Sequence, residues 1–200
     1  MTTEPKLSKP EQGQDNAGAN KIIDQLLLDA RTVFIIGGID SEMAYGVCAR
    51  LHALSHADPS LPIDVIVSSP GGHVESGDMI HDTIKFIAAP VRVIGSGWVA
   101  SAGALIYVAV PTKQRYTLPN TRFLLHQPSG SVGGKVSDIE IQAHEIANMR
   151  ERLNLIFAKA TGQSLERIET DTRRDFWLSA EEALKYGLAG KIINSQSELS

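Results

Sequence analysis

Short β-branched runs, each broken off at small or turn-forming residues and followed by a stretch of helical spacing, most limit what this 200-residue chain can become. Val33-Phe34-Ile35-Ile36 stops at Gly37-Gly38. Ile63-Asp64-Val65-Ile66-Val67 stops at Ser68-Ser69-Pro70-Gly71-Gly72. Val91-Arg92-Val93-Ile94 stops at Gly95, and Arg122-Phe123-Leu124-Leu125 at His126-Gln127-Pro128. Runs of this length and composition read as buried strands. Between them, Met43, Val47, Leu51 and Leu54 recur at helical spacing after a cap at Asp40 or Ser41. Ile80, Ile84 and Ile87 line one side of a helix over about 74–87. Strand alternating with helix predicts an α/β fold of stacked βαβ units on a largely parallel sheet. Right-handed crossovers then bring the carboxyl ends of the strands to one edge, where sites in such sheets form. Gly71-Gly72, Ser101 and His126 all lie just past a strand's end.

The stretch Gly97-Trp98-Val99-Ala100-Ser101-Ala102-Gly103-Ala104 joins the third run to an apolar segment, Leu105 to Ala109. It reads as a strand, a tight turn and a helix start with a serine at the junction. A hydroxyl there lies close to free backbone N–H groups, which favour negative charge. The small neighbours let another backbone approach. The plainer alternative is that Ser101 only caps the helix.

After His126 comes a glycine-rich excursion, Ser129-Gly130-Ser131-Val132-Gly133-Gly134, and then a long helix over about 137–159. Ile139, Ala143, Ile146, Met149, Leu153, Ile156 and Ala160 make an unbroken stripe on it. A helix that long reaches past a small domain and can pack on another subunit. Gly162 ends it, Ser164 opens a short helix to about Asp171, and Ser179-Ala180-Glu181-Glu182 is a capping box closed by Gly187.

Composition narrows the function. A net charge of −4 without basic clusters excludes a typical nucleic-acid binder. One cysteine, Cys48, permits no intrachain disulfide and points to a reducing compartment, the cytoplasm. Residues 1–20 are polar, lack the apolar core of a secretory signal, and read as a disordered arm or a removable leader. Residues 21–195 form one domain, with 196–200 as a tail. The longest uncharged apolar run, Trp98 to Val110, is too short to span a bilayer.

A serine nucleophile needs a base, an acid to orient that base, and donors for the oxyanion. His126 is the natural base by its place on the sheet edge. Glu169, Asp171 and Asp175 are the candidate acids, and spacing does not choose among them. The motif is not the nucleophile elbow of α/β-hydrolases, since Val99 stands where glycine is required. His52 and His56 have metal-pair spacing without a third ligand, and Gly134-Lys135 lacks the flanking residues of a phosphate loop. No metal and no cofactor is expected.

From about Thr32 to Ile193 the chain resembles ClpP, the proteolytic subunit family of the Clp protease. The matching words are Ser69-Pro70-Gly71-Gly72, Ala100-Ser101 with Gly103-Ala104, Leu118-Pro119-Asn120 with Arg122, and His126-Gln127-Pro128. Asp138-Ile139-Glu140-Ile141, Thr161-Gly162-Gln163, Arg174-Asp175 with Phe176, Ser179 and Ala180, and Tyr186-Gly187-Leu188 continue the set. The resemblance implies Ser101 as nucleophile, His126 as general base, Asp175 as orienting acid, and the N–H groups of Gly72 and Ala102 as oxyanion hole. It implies a crotonase-like fold of repeated ββα units with a long helix plus glycine-rich handle. It also implies two stacked heptameric rings, fed polypeptide by an AAA+ unfoldase of the ClpX, ClpA or ClpC type.

The chain departs from the family pattern at several positions. Ala102 replaces the usual methionine and implies a roomier site. Asp64 and Ile66 stand where aromatic residues line the unfoldase-docking pocket of many relatives, and Arg173 stands where an acid helps pair the rings. These departures imply weak docking of a usual unfoldase, or a mixed ring with a second ClpP in place of a homo-tetradecamer. The rival readings are a non-catalytic ring subunit and a crotonase-like acyl-CoA hydratase or isomerase.

Overall fold

The computed structural model describes residues 13–130 and 133–199. Most of the expected N-terminal arm, residues 1–12, and part of the glycine-rich excursion, residues 131–132, lie outside them. The first helix, α1, spans Gly13–Asp29, so helix begins well before Lys21. The order continues β1 (Thr32–Ile36), α2 (Ser41–Ala57), β2 (Ile63–Ser69), α3 (Val74–Phe86), β3 (Val91–Ala100) and α4 (Ala102–Tyr107). After a 3₁₀ turn at Thr112–Gln114 come β4 (Arg115–Thr117), β5 (Arg122–Leu125), α5 (Val136–Thr161) and α6 (Leu165–Asp171). β6 (Phe176–Ser179), α7 (Ala180–Tyr186), β7 (Lys191–Ile192) and a second 3₁₀ turn at Gln196–Glu198 complete the described chain.

The strands form one seven-stranded sheet in the order β1-β2-β3-β4-β7, with β5 on β3 and β6 on β5. The pairings of β1 with β2, of β3 with β2, β4 and β5, and of β4 with β7 are parallel; β5 with β6 is antiparallel. The helix signals are satisfied as read. The Asp40 carboxylate accepts from Met43 N at 2.8 Å and caps α2, the Ser179–Glu182 capping box starts α7, and Gly162 and Gly187 take left-handed conformations at helix ends. Val47, Cys48, Leu51 and Leu54 of α2 are buried in one apolar core with Val65, Val67 and Val93 of the sheet.

Two expectations need correction. The third strand does not stop at Gly95; β3 runs on to Ala100. Its partner β2 pairs Val67 with Gly95 and then Ser69 with Val99, so the extra residues form a bulge around Ser96-Gly97, where Gly97 has φ +66°. Glycine here bends a strand instead of ending it. The bend divides β3 between neighbours: Val93 to Gly95 pair with β4, and Trp98 to Ala100 with β5. The first run is also not buried on both faces. Val33 and Ile35 are buried, whereas Phe34 and Ile36 are 43% and 54% exposed because no element of the described chain covers that side.

Helix α5 is divided along its length. Val136, Ile139 and Ile141 are exposed, while Leu153, Asn154 and Phe157 are buried. Its amino-terminal half therefore projects from the domain. Arg152 anchors the junction with two 2.7 Å bonds to Asp78 on α3.

Candidate active site

Ser101 occupies the one residue between β3 and α4. Its backbone has φ 55° and ψ −119°, a region that residues other than glycine rarely enter. The conformation is held from both sides: Ser101 N donates to Leu124 O at 2.9 Å, and Ser101 O accepts from Leu105 N at 3.1 Å. The hydroxyl makes no helix-cap hydrogen bond, so the capping alternative fails. Small neighbours are required by contact. A Cβ on Gly71 would stand 2.6 Å from Ser101 Cβ and 2.9 Å from Ala100 O, and one on Gly103 would stand 3.3 Å from Ser69 Cβ. A strained strand-to-helix turn that presents a serine is the device of nucleophile elbows, reached here without their glycine spacing.

Strand register brings the other residues in. β5 and β6 pair Leu125 with Phe176, so the next positions outward are His126 and Asp175. Their side chains meet: His126 Nδ1 lies 3.1 Å from Asp175 Oδ1. β3 and β5 pair Ala100 with Leu124, which sets Ser101 beside Leu125 and one residue short of His126. Ser101 and His126 both line one recess with Val74, Leu105, Leu153 and Phe157. Among the described residues, neither Ser101 Oγ nor His126 Nε2 is taken by another hydrogen bond, and catalytic bonds commonly tighten only with substrate bound. The Asp175 side chain is 65% exposed against 28% for His126, so water reaches the carboxylate.

The other candidate acids are elsewhere. The Asp171 carboxylate accepts from Arg167 Nε at 2.6 Å and Tyr186 OH at 2.8 Å, and Glu169 lines a separate cleft beside Arg150. Gln127 is a residue the motif reading left without a task. Its N–H donates to Thr172 O at 2.8 Å and its Nε2 to Arg173 O at 3.2 Å, which ties the loop after His126 to the loop before Asp175. Its signal in the sequence was only its place beside the histidine.

Gly72 lies against Ile39. Ile39 N donates to Gly71 O at 2.9 Å and His73 N to Ile39 O at 2.8 Å, and a Cβ on Gly72, at φ +152°, would stand 2.2 Å from Ile39 O. Gly71 N is committed to Ser69 Oγ at 3.0 Å. Gly72 N has no acceptor among the described residues, and Ala102 N, as first residue of α4, has no helical carbonyl behind it. The glycine turn packs on Ser101 and Ala102: a Cβ on Gly71 would also stand 3.2 Å from Ala102 N. We expect Gly72→Ala to displace this backbone. Losing one oxyanion donor costs about 10²–10³ in kcat, to be read in peptide hydrolysis alongside a thermal melt.

Ala102 is enclosed by its neighbours. It is 3% exposed because α3 packs on it at Gly77, and the recess holds only about 20 Å³, near the space of one water. Its walls come from Val74 and α5 residues that the sequence did not flag as belonging to a site. Among the described residues, no group of three His, Cys, Asp or Glu could hold a metal ion. His52 and His56 are exposed on α2.

A parallel α/β sheet presenting a strained serine beside a histidine–aspartate pair defines a serine-type hydrolase. Comparison with known proteins agrees. The profile described as Clp protease matches residues 14–196. ATP-dependent Clp protease proteolytic subunit 3 of Rhizobium etli is 60% identical over 173 residues, spanning 86% of this chain and 89% of the relative. ATP-dependent Clp protease proteolytic subunit 2 of Pseudomonas aeruginosa is 55% identical over 193 residues, 96% of each. The solved structure of a ClpP1 point mutant from Listeria monocytogenes superposes with a TM-score of 0.83 at 49% identity, covering 89% of this chain and 99% of that one. The chain belongs to the Clp protease family. Its activity is that of a serine endopeptidase, the proteolytic subunit of an oligomeric protease chamber served by an unfoldase. This displaces the hydratase and non-catalytic readings.

Proposed function

We propose that Ser101 is the nucleophile, His126 its general base and Asp175 the acid that orients the imidazole. The carrying observation is the 3.1 Å contact between His126 Nδ1 and Asp175 in a site whose recess His126 shares with a strained Ser101. With Nδ1–H donating to the carboxylate, Nε2 keeps its lone pair for the serine proton. Ser101 Oγ attacks the scissile carbonyl, and the oxyanion takes hydrogen bonds from Gly72 N and Ala102 N. The imidazolium returns its proton to the leaving amine, and water repeats the sequence on the acyl-enzyme. Fluorophosphonate labelling tests the assignment, since the probe needs an activated serine; label on Ser101 by mass spectrometry supports it, and an inert serine in the assembled protein refutes it.

The working unit in this reading is a single peptidase domain, residues 21–195, acting in the cytoplasm on unfolded polypeptide. Among the described residues no helix is long and apolar enough to cross a membrane. Ring closure through repeated head-to-tail contacts hides the serine from folded proteins. The subunit docks a ClpX, ClpA or ClpC type unfoldase weakly as a homo-tetradecamer, or works in a mixed ring with a second ClpP. Asp64 and Ile66 line a groove with Phe34, Ile94 and Leu118, and Arg92 donates to both Asp64 oxygens, at 2.6 and 2.9 Å, where an apolar docking loop would favour aromatic rings. Native mass with and without a second family member, and pull-down of unfoldases, test this. Strong unfoldase binding by the homo-oligomer alone overturns it.

A further inference from the structure

The serine site uses Val74 of α3, the start of α4, and Leu153 and Phe157 of α5. Farther along α3 and α5, beside the segment that follows α4, lies a larger cavity of about 700 Å³ that peptide cleavage leaves without a task. That volume is in the range of sites for small organic molecules. Its basic groups are His81 and Lys85 of α3, Arg115 at the start of β4, and Lys159 of α5, and no carboxylate lines it.

Arg115 is the unusual member. It is 3% exposed, yet among the described residues it has no acidic partner. Its Nε donates to Val110 O at 2.8 Å and its Nη1 to Ala160 O at 2.7 Å; the contacts to Leu188 O and Val108 O are long, at 3.4 and 3.5 Å. A guanidinium has five N–H donors, so these carbonyls leave capacity on Nη2. They also leave its full charge without a counter-charge, which is costly in a buried position. Burial pushes the Arg115 pKa down to about 10, and it remains charged at neutral pH.

The charged groups that line the cavity are positive, while Asp82, next to His81, and Glu151, in an adjoining pocket with Lys85 and Lys159, stand outside its lining. Lys85 and Lys159 are exposed at the cavity, and among the described residues neither makes an ion pair. The nearby Asp78 carboxylate is taken on both oxygens by Arg152. His81 is 4% exposed, and its Nδ1 donates to Leu105 O at 2.8 Å, which leaves Nε2 as an acceptor. Ile84, Val91, Val108 and Ile156 make the rest of the wall largely apolar.

We propose that this cavity binds a small organic anion, an apolar body carrying one carboxylate or phosphate. The head group meets Lys85, Lys159 and the spare N–H of Arg115, and the body lies on Ile84, Val91 and Ile156. An apolar neutral molecule leaves the buried charge uncompensated, and a bare inorganic ion leaves the apolar wall wet.

Calorimetric titration of the full chain with octanoate, octyl phosphate and 1-octanol tests this. One of the two anions is expected to saturate at one site per chain, at least roughly tenfold tighter than octanol; whichever is tighter identifies the head group. The double substitution Lys85→Ala, Lys159→Ala is expected to weaken that anion at least roughly tenfold, with the melting curve and serine labelling unchanged. These exposed lysines keep the test decisive even if an Arg115 variant fails to fold. The proposal is overturned if neither anion saturates, if octanol binds equally well, or if the double variant keeps full affinity. None of those outcomes touches the peptidase reading, which labelling of Ser101 tests separately.

Discussion

Ser101→Ala removes peptide cleavage and leaves ring size unchanged. In a serine protease whose triad acts as a unit, loss of the nucleophile costs about 10⁶ in kcat, equivalent to about 8 kcal/mol of transition-state stabilisation. The oxyanion donors survive the substitution, so turnover falls to what positioning and two N–H groups provide. Folding should not suffer. The hydroxyl makes no cap bond, and alanine removes one atom from a half-buried position. The positive φ persists, because the Ser101 N to Leu124 O and Leu105 N to Ser101 O bonds hold the backbone and not the side chain. Hydrolysis of an unstructured peptide, with native mass as the control for assembly, checks this. Turnover in the assembled variant within about tenfold of the parent, set against the loss expected, would remove Ser101 from the chemistry.

Asp175→Asn lowers kcat by about 10³–10⁴, against the roughly 10⁴ seen for a fully buried triad acid. His126 Nδ1 lies 3.1 Å from the carboxylate; in the proposed mechanism Nδ1–H donates to it and Nε2 keeps its lone pair for the serine proton. An amide NH₂ at that place donates instead, turns Nδ1 into the acceptor and puts the proton on Nε2, where it cannot receive another from serine. The smaller end of the range follows from exposure: 65% of the Asp175 side chain is open to water, which partly solvates the imidazolium in its place. KM should hardly change, because Asp175 does not line the recess that Ser101 and His126 share. The kcat/KM of a short peptide and the rate of fluorophosphonate labelling should fall together. A variant with normal labelling would show that His126 is oriented by something else.

Much of the local structure was legible because its causes are local. The caps at Asp40 and Ser179 and the stops at Gly162 and Gly187 lie within a few residues of what they cap. The alternation of apolar runs with helical stripes carried the parallel sheet, since only layered helices on a sheet bury both. What misled was glycine in β3. Gly95 and Gly97 read as a stop, but neighbouring strands on both sides held the chain extended and made them a bulge. The same limit applied to Phe34 and Ile36, whose type suggested burial although no described element covers their side of β1.

By itself the sequence determined the class of fold, the edge where chemistry gathers, and the presence there of a serine, a histidine and a glycine pair, because periodicity and turn residues act over a few positions. It left Glu169, Asp171 and Asp175 equal as partners for the histidine. The family resemblance pointed to Asp175, and the tertiary structure supplies the geometry: the antiparallel register of β5 and β6 puts position 175 opposite 126, while Arg167 and Tyr186 occupy Asp171. The tertiary structure alone showed that α5 closes the recess and that Arg115 is buried without a counter-charge among the described residues, since pairing between distant strands and helices leaves no local trace in the chain.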